Sequence, residues 1–237
     1  MKRISFLLRK AVSVLLLILL IPGSSLKAQT VEELIQKVRE KLEKVNDYEA
    51  KGKMKTNVIF IKAPVATVKV YFKKPNKLRI NNENGISFIP KGSVNINLNT
   101  VFINNNSFDI IDMGKEAGTG LRIIKLLPRE KNADVVLSTL YIDEKELLVK
   151  KAKTTTKENG TYELGMTYGK YATYGLADKI VFEFNTKDYK LPKGVTFDYD
   201  DGKKKEPADK MKNKKGKVEI NYSNYVINKG VSDKVFE

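Results

Sequence analysis

Val68-Lys69-Val70-Tyr71-Phe72-Lys73-Lys74-Pro75-Asn76-Lys77-Leu78-Arg79-Ile80 reads as two short extended segments, residues 67–73 and 77–81, joined at a Pro-Asn turn. Val, Ile, Phe and Tyr favour the pleated conformation, while Pro and Asn are turn formers, so Lys74-Pro75-Asn76 punctuates the two strands. The same texture continues in both directions. Strands are expected upstream at 48–56 and 58–62, and downstream at 86–89, 94–97, 100–104, 107–112, 135–142, 147–156, 161–168, 179–185, 195–198 and 217–227. Asn84-Gly85, Asp143-Glu144-Lys145 and Asn159-Gly160 supply turns between them, the Asn-Gly pairs suiting hairpins that demand positive φ. This is the pattern of an antiparallel meander. Leu121 to Leu127 is the internal apolar run that looks helical or irregular, ending at Pro128, and residues 114–120 before it look like a mobile loop.

Ahead of the meander, Thr30 and Glu33 have capping-box spacing, and Val31, Leu34, Ile35, Val38, Leu42 and Val45 fall on one helical face. An amphipathic helix of about four turns is expected there, its apolar stripe packed on a sheet. Before it, Lys2, Arg3, Arg9 and Lys10 precede the apolar run Ala11 to Ile21, then Pro22-Gly23-Ser24-Ser25 and Leu26-Lys27-Ala28. A charged head, an apolar stretch shorter than a membrane span and a small residue at a cleavage point describe a secretory signal peptide over residues 1–28. The mature chain is therefore expected to be a single exported domain, 29–237, without the cysteine that a lipid anchor at the cleavage point requires.

Composition narrows the chemistry. The 237 residues contain no Cys and no His. Without cysteine there is no disulfide framework, so a hydrophobic core must supply stability. Without histidine, His-based catalytic triads and HExxH zinc sites are excluded, and cysteine nucleophiles with them. No catalytic residue, metal site or cofactor is expected; the loop acids Asp109, Asp112 and Glu116 are the residual carboxylate candidates for an enzyme. The net charge of +16 favours anionic surfaces. Its excess is almost all lysine, whereas arginine suits bidentate phosphate and base recognition, so nucleic acid is not the expected partner. Residues 201–217 concentrate lysines, at 203, 204, 205, 210, 212, 214, 215 and 217, and read as an exposed loop suited to transient contact with a membrane surface. A local echo links Tyr168-x-x-Tyr171 with Tyr222-x-x-Tyr225, each followed by a Gly-x-x-Asp-Lys segment, as two similar strand-loop units would be.

A helix followed by a long meander is compatible with a lipocalin-like barrel, a sandwich or a half-open barrel. The opening stretch resembles the strand-turn-strand signature of the periplasmic lipoprotein carrier family, the LolA-like proteins, in which a strand runs into a basic-Pro-Asn turn and an apolar-Arg pair. Asp47-Tyr48-Glu49-Ala50-Lys51-Gly52, the hairpin Leu140-Tyr141-Ile142-Asp143 with Leu147-Leu148-Val149-Lys150, and Leu191-Pro192-Lys193-Gly194-Val195 match the family's layout in shorter pieces. The sequence departs from the family at Lys74, where the carriers have an arginine that hydrogen-bonds to the lid; lysine keeps the charge and loses the planar fork.

The resemblance implies a mainly β fold with a few helices: a curved, incomplete antiparallel β-barrel, LolA/LolB-like, covered by helices. It implies a periplasmic carrier or sorting protein whose apolar cavity binds the acyl chains of lipoproteins or similar lipids, with no catalysis. Phe60, Val70, Phe72, Leu78, Ile80, Phe88 and Ile96 would line the cavity with Leu34, Ile35 and Leu42 of the helix, and Lys74 and Arg79 would form the latch and turn. The implied partners are an acylated lipoprotein or lipid and lipoprotein-handling proteins of the inner and outer membranes. The alternative is a module of the cell envelope that senses lipid or lipoprotein, or docks a partner, without transporting anything.

Overall fold

The structure, a computed structural model, describes residues 30–57, 65–75, 77–83, 107–157, 160–185 and 215–237. The expected signal peptide, the strands at 58–62, 86–89, 94–97, 100–104 and 195–198, the turns at 84–85 and 191–195, and residues 201–214 of the lysine-rich loop lie outside them.

The helical stripe forms α1, Val31–Leu42. It has Glu32 and Glu33 in its first turn and Arg39 and Lys41 in its last, the polarity that complements the helix dipole. Val31, Leu34, Ile35 and Val38 are buried along one face, each worth roughly 1.5–3 kcal/mol relative to exposure. The helix is three turns rather than four. Val45 is buried beyond its end, in the turn leading to the sheet.

Among the described residues ten strands follow: β1 Asp47–Asn57, β2 Ala66–Lys73, β3 Lys77–Asn82, β4 Phe108–Lys115, β5 Arg122–Pro128, β6 Val135–Asp143, β7 Leu148–Thr156, β8 Gly160–Thr167, β9 Lys179–Asn185 and β10 Lys215–Ile227. They form one sheet in the order β3-β2-β1-β10-β9-β8-β7-β6-β5-β4, with every pairing antiparallel. The pairing of β1 with β10 joins the start of the meander to its end. Among the described residues no pairing joins β3 to β4, so the sheet is not closed into a barrel. The β2–β3 hairpin is the stretch quoted first, and its Lys74–Pro75 peptide is cis.

Three expectations are corrected. Residues 121–127 are neither helical nor irregular; they supply β5, with Ile124 and Leu126 buried on one side and Leu127 exposed on the other. A short apolar run without clear alternation fits a strand or a helix equally well. Residues 114–120, expected as a mobile loop, are the end of β4 and a tight hairpin in which Glu116 N donates to Leu121 O at 2.8 Å and Gly120 N to Glu116 O at 3.0 Å. The lysine-rich loop ends before residue 215, because Lys215-Gly216-Lys217 begins β10. There the buried residue is Gly216, on which a Cβ would stand 2.4 Å from the Phe184 ring, and the lysines point the other way.

Strand alternation sends one set of side chains to the face that carries α1, called the inner face below. Register shows its continuity. Thr56, Val218, Phe182, Leu164, Ala152, Leu140 and Ile124 stand opposite one another from β1 through β10 to β5, and the row ends at Asp112 on β4. A neighbouring row runs through Gly216, Phe184, Tyr162, Thr154, Ser138, Leu126 and Ile110. Of the helices expected to cover the sheet, α1 is the one α-helix among the described residues; the chain otherwise adds 3-10 turns at Ala172–Tyr174 and Asp233–Phe236.

Candidate functional site

The inner face carries two hydrophobic clusters. In the first, Val31, Leu34, Ile35 and Val38 of α1 pack on Ile124, Leu126, Leu140, Ile142, Val149, Ala152 and Met166 of β5–β8. This half is filled by the helix. The second is built from Ala50 and Met54 of β1, Val68 and Val70 of β2, Tyr162 of β8, Phe182 and Phe184 of β9, and Val218, Ile220 and Tyr225 of β10, with no α1 residue among the described members. Leu164 packs against both. The second cluster is an apolar wall whose members are buried although no α1 residue is among those described, and it is the candidate site.

The site residues expected from the sequence divide between the clusters. Val70 belongs to the second, and Leu78 and Ile80 pack against it. Phe72 is buried, opposite Tyr48 on β1 and Leu78 on β3, its ring 5.3 Å from that of Tyr48. Leu34 and Ile35 belong to the first cluster and Leu42 packs against it. Phe60, Phe88 and Ile96 lie outside the described residues. The sequence reading missed Met54, Phe182, Phe184, Val218 and Ile220. Their strands were foreseen, and the alternation Val218, Ile220, Tyr222 was the available signal.

Lys74 reaches the end of α1. Its Nζ donates to Glu43 O at 2.7 Å and Asn46 Oδ1 at 3.1 Å, and its backbone N donates to Asn46 O at 2.9 Å. Lys41 Nζ donates to Glu146 O in the β6–β7 turn. Asn228 completes the attachment: its Nδ2 donates to Lys44 O at 2.8 Å and its Oδ1 accepts from Asn46 N at 2.7 Å. The C-terminal end of α1 is thus tied to the β2–β3 hairpin, the β6–β7 turn and the end of β10. Arg79 lies elsewhere, exposed on β3, with Nε donating to Asn81 Oδ1 at 3.0 Å.

An aromatic group lines the α1 C-terminal end of the wall. Tyr225 is surrounded by Tyr171 at 4.8 Å, Tyr222 at 5.1 Å and Tyr48 at 5.3 Å between ring centroids. The tyrosine echo seen in the sequence meets in space through Tyr171 and Tyr225. A register shift at Lys51/Gly52 opens the β1–β10 ladder, and a Cβ on Gly52 would lie 2.6 Å from Asn221 O. This bulge brings Tyr222 and Tyr225, three residues apart, into the same cluster.

The carboxylate candidates are ion-paired. Asp109 meets Arg129 Nε at 2.8 Å, Asp112 pairs with Arg122, and Glu116 accepts from Thr119 Oγ1 at 2.5 Å and Lys151 Nζ at 3.5 Å. Burial pushes the Asp112 pKa up, but hydrogen bonds from Gly114 N and Arg122 outweigh it and the net shift is downward. The Thr119 hydroxyl and the Lys151 charge hold Glu116 below its ordinary value. A general acid working near neutrality needs the opposite shift. No group of three or more carboxylates placed to hold a metal occurs among the described residues, and no helix there is long and apolar enough to cross a membrane.

No family model and no curated protein matches the sequence. Solved structures do match the fold. A putative outer membrane lipoprotein-sorting protein domain from Vibrio parahaemolyticus aligns over 86% of this chain and 94% of its own at TM-score 0.54 and 10% identity. A DUF1329 family protein from Desulfovibrio piger aligns over 89% and 98% at TM-score 0.52 and 14% identity. A LolA superfamily protein from Nitrosomonas europaea aligns over 86% and 97% at TM-score 0.51 and 9% identity. The likeness spans nearly the whole of each neighbour and is one of fold alone.

Proposed function

We propose that this chain is a periplasmic carrier or sorting protein that holds acyl chains of lipoproteins or similar lipids against the inner face of its open sheet. The observation that carries the reading is the second cluster, an apolar wall on β1, β2, β9 and β10 with no α1 residue among its described members. Such a wall suits long hydrocarbon chains, because apolar contact there needs no directional partner and displaces water that the wall cannot bind. Val70, Phe72, Leu78 and Ile80 form one side of the site in this reading, with Met54, Phe182 and Val218 beside them. Leu34, Ile35 and Leu42 hold α1 at its margin, and Lys74 latches the helix end. Ion-paired carboxylates suit a role without catalysis.

The export reading rests on the leader at residues 1–28, and the partners it implies are an acylated lipoprotein and the membrane proteins that load and receive it. Anionic membrane surfaces fit the charge of the sheet's other face, where Lys51, Lys53 and Lys55 are exposed in succession along β1. The test is native mass spectrometry of the mature protein purified without detergent, followed by organic extraction. The expected result is a bound acylated species. A protein that is empty and also takes up no hydrophobic fluorescent probe would mean that the wall is closed core.

A further inference from the structure

The tyrosine group at the end of the apolar wall divides into hydroxyls with partners and hydroxyls without. Tyr225 Oη donates to Ala177 O at 2.7 Å. Tyr171 Oη donates to Asn224 Oδ1 at 3.1 Å and accepts from Tyr225 N at 3.3 Å. Tyr48 and Tyr222 are half-buried and pack against the second cluster, yet among the described residues no protein group bonds to either hydroxyl. Both rings flank Tyr225, so the two side chains belong to one aromatic patch. Unmatched donors beside an apolar surface are the usual way a site fixes the orientation of a ligand that is otherwise hydrocarbon.

The surroundings select the acceptor. Burial pushes both phenols above their ordinary value, with the neighbouring Tyr48 adding to the effect on Tyr222, so at physiological pH they are neutral O–H donors. Neutral donors carry no charge to balance a carboxylate or phosphate, so a neutral carbonyl is the acceptor they suit.

We propose that Tyr48 and Tyr222 form a carbonyl-binding subsite that takes the ester or amide carbonyl joining an acyl chain to its head group, while the chain runs along Val70, Met54 and Phe182. The subsite rests on the acyl-binding reading and adds an orientation to it: head group towards the C-terminal end of α1, hydrocarbon towards the other end of the strands.

The experiment compares two probes that differ in one carbonyl, 1-palmitoylglycerol and its ether analogue 1-O-hexadecylglycerol, each displacing N-phenyl-1-naphthylamine from the mature protein. Two hydrogen bonds of ordinary strength predict that the ester binds roughly tenfold more tightly than the ether. In Y48F/Y222F, which keeps both rings, the ester should fall to the affinity of the ether. Equal binding of the two probes by the unmodified protein, or an ester preference that survives in the variant, overturns the subsite and leaves the acyl-binding reading standing. Failure of both probes to bind overturns that reading, and the subsite with it. Equal binding by the unmodified protein overturns the subsite even where the double variant does not fold, and Y48F and Y222F tested singly then carry the assignment.

Discussion

Asp233 shows how single charges fasten the chain's end to the sheet. Lys73 Nζ on β2 and Lys77 Nζ on β3 donate to its two carboxylate oxygens at 2.8 and 2.7 Å. The hydrogen bond from Lys73, then that from Lys77, with the attraction of both charges, brings the Asp233 pKa down to about 2. A carboxylate whose folded pKa is depressed stabilises the fold above its unfolded pKa, and that contribution is lost as pH falls through the folded value. The attachment of the C-terminal 3-10 turn should therefore persist through mild acid and release as the pH approaches about 2. Side-chain carboxyl NMR shifts of Asp233 would follow this directly. A midpoint near the ordinary carboxylate value, unchanged in K73M/K77M, would show that the two lysines do not hold the turn. At this scale the sequence was legible where a residue's role is local: Pro75 marked its turn and Val70 its face. The role of Tyr222 was not, because it depends on a β1–β10 bulge between residues some 170 positions apart.

The elements that decide the site are α1 and the β2–β3 hairpin, and Lys74 connects them. Its ammonium sits at the C-terminal end of the helix, where a cation meets unpaired carbonyls and the negative end of the dipole. K74M removes that charge with little change in side-chain length. It should lower stability by about 1 kcal/mol in urea unfolding and speed amide hydrogen exchange in residues 31–42 more than in β6 and β7. Exchange in α1 that is unchanged, or that rises equally throughout the sheet, would show that the lysine does not hold the helix. Elements were legible where both pattern and punctuation were present, as at 67–73 and 77–81. The strand β5 was missed because Ile123-Ile124 and Leu126-Leu127 come as adjacent apolar pairs about Lys125, and only their different exposure in the folded sheet reveals the alternation.

At the scale of the molecule, one antiparallel sheet covers two kinds of ground. On β5–β8 the helix fills the inner face; on β1, β2, β9 and β10 the inner face is walled with Val, Met and Phe and ends in tyrosines. The open barrel was an expectation from the family resemblance alone, whereas the mainly β class was legible in the sequence, since strand texture and turn residues are local signals. The division of the inner face was beyond it, because it arises from where α1 lies on the sheet. The central claim is that the half without α1 holds an acyl chain. A diazirine-bearing palmitoyl glycerol, crosslinked to the mature protein and mapped by peptide sequencing, tests it most directly. Labels confined to inward residues such as Met54, Val70, Phe182 and Val218, and competed by unlabelled lipid, are the predicted result. Labels on outward residues such as Tyr71, Val181 and Val226, or labelling that unlabelled lipid does not reduce, would contradict it.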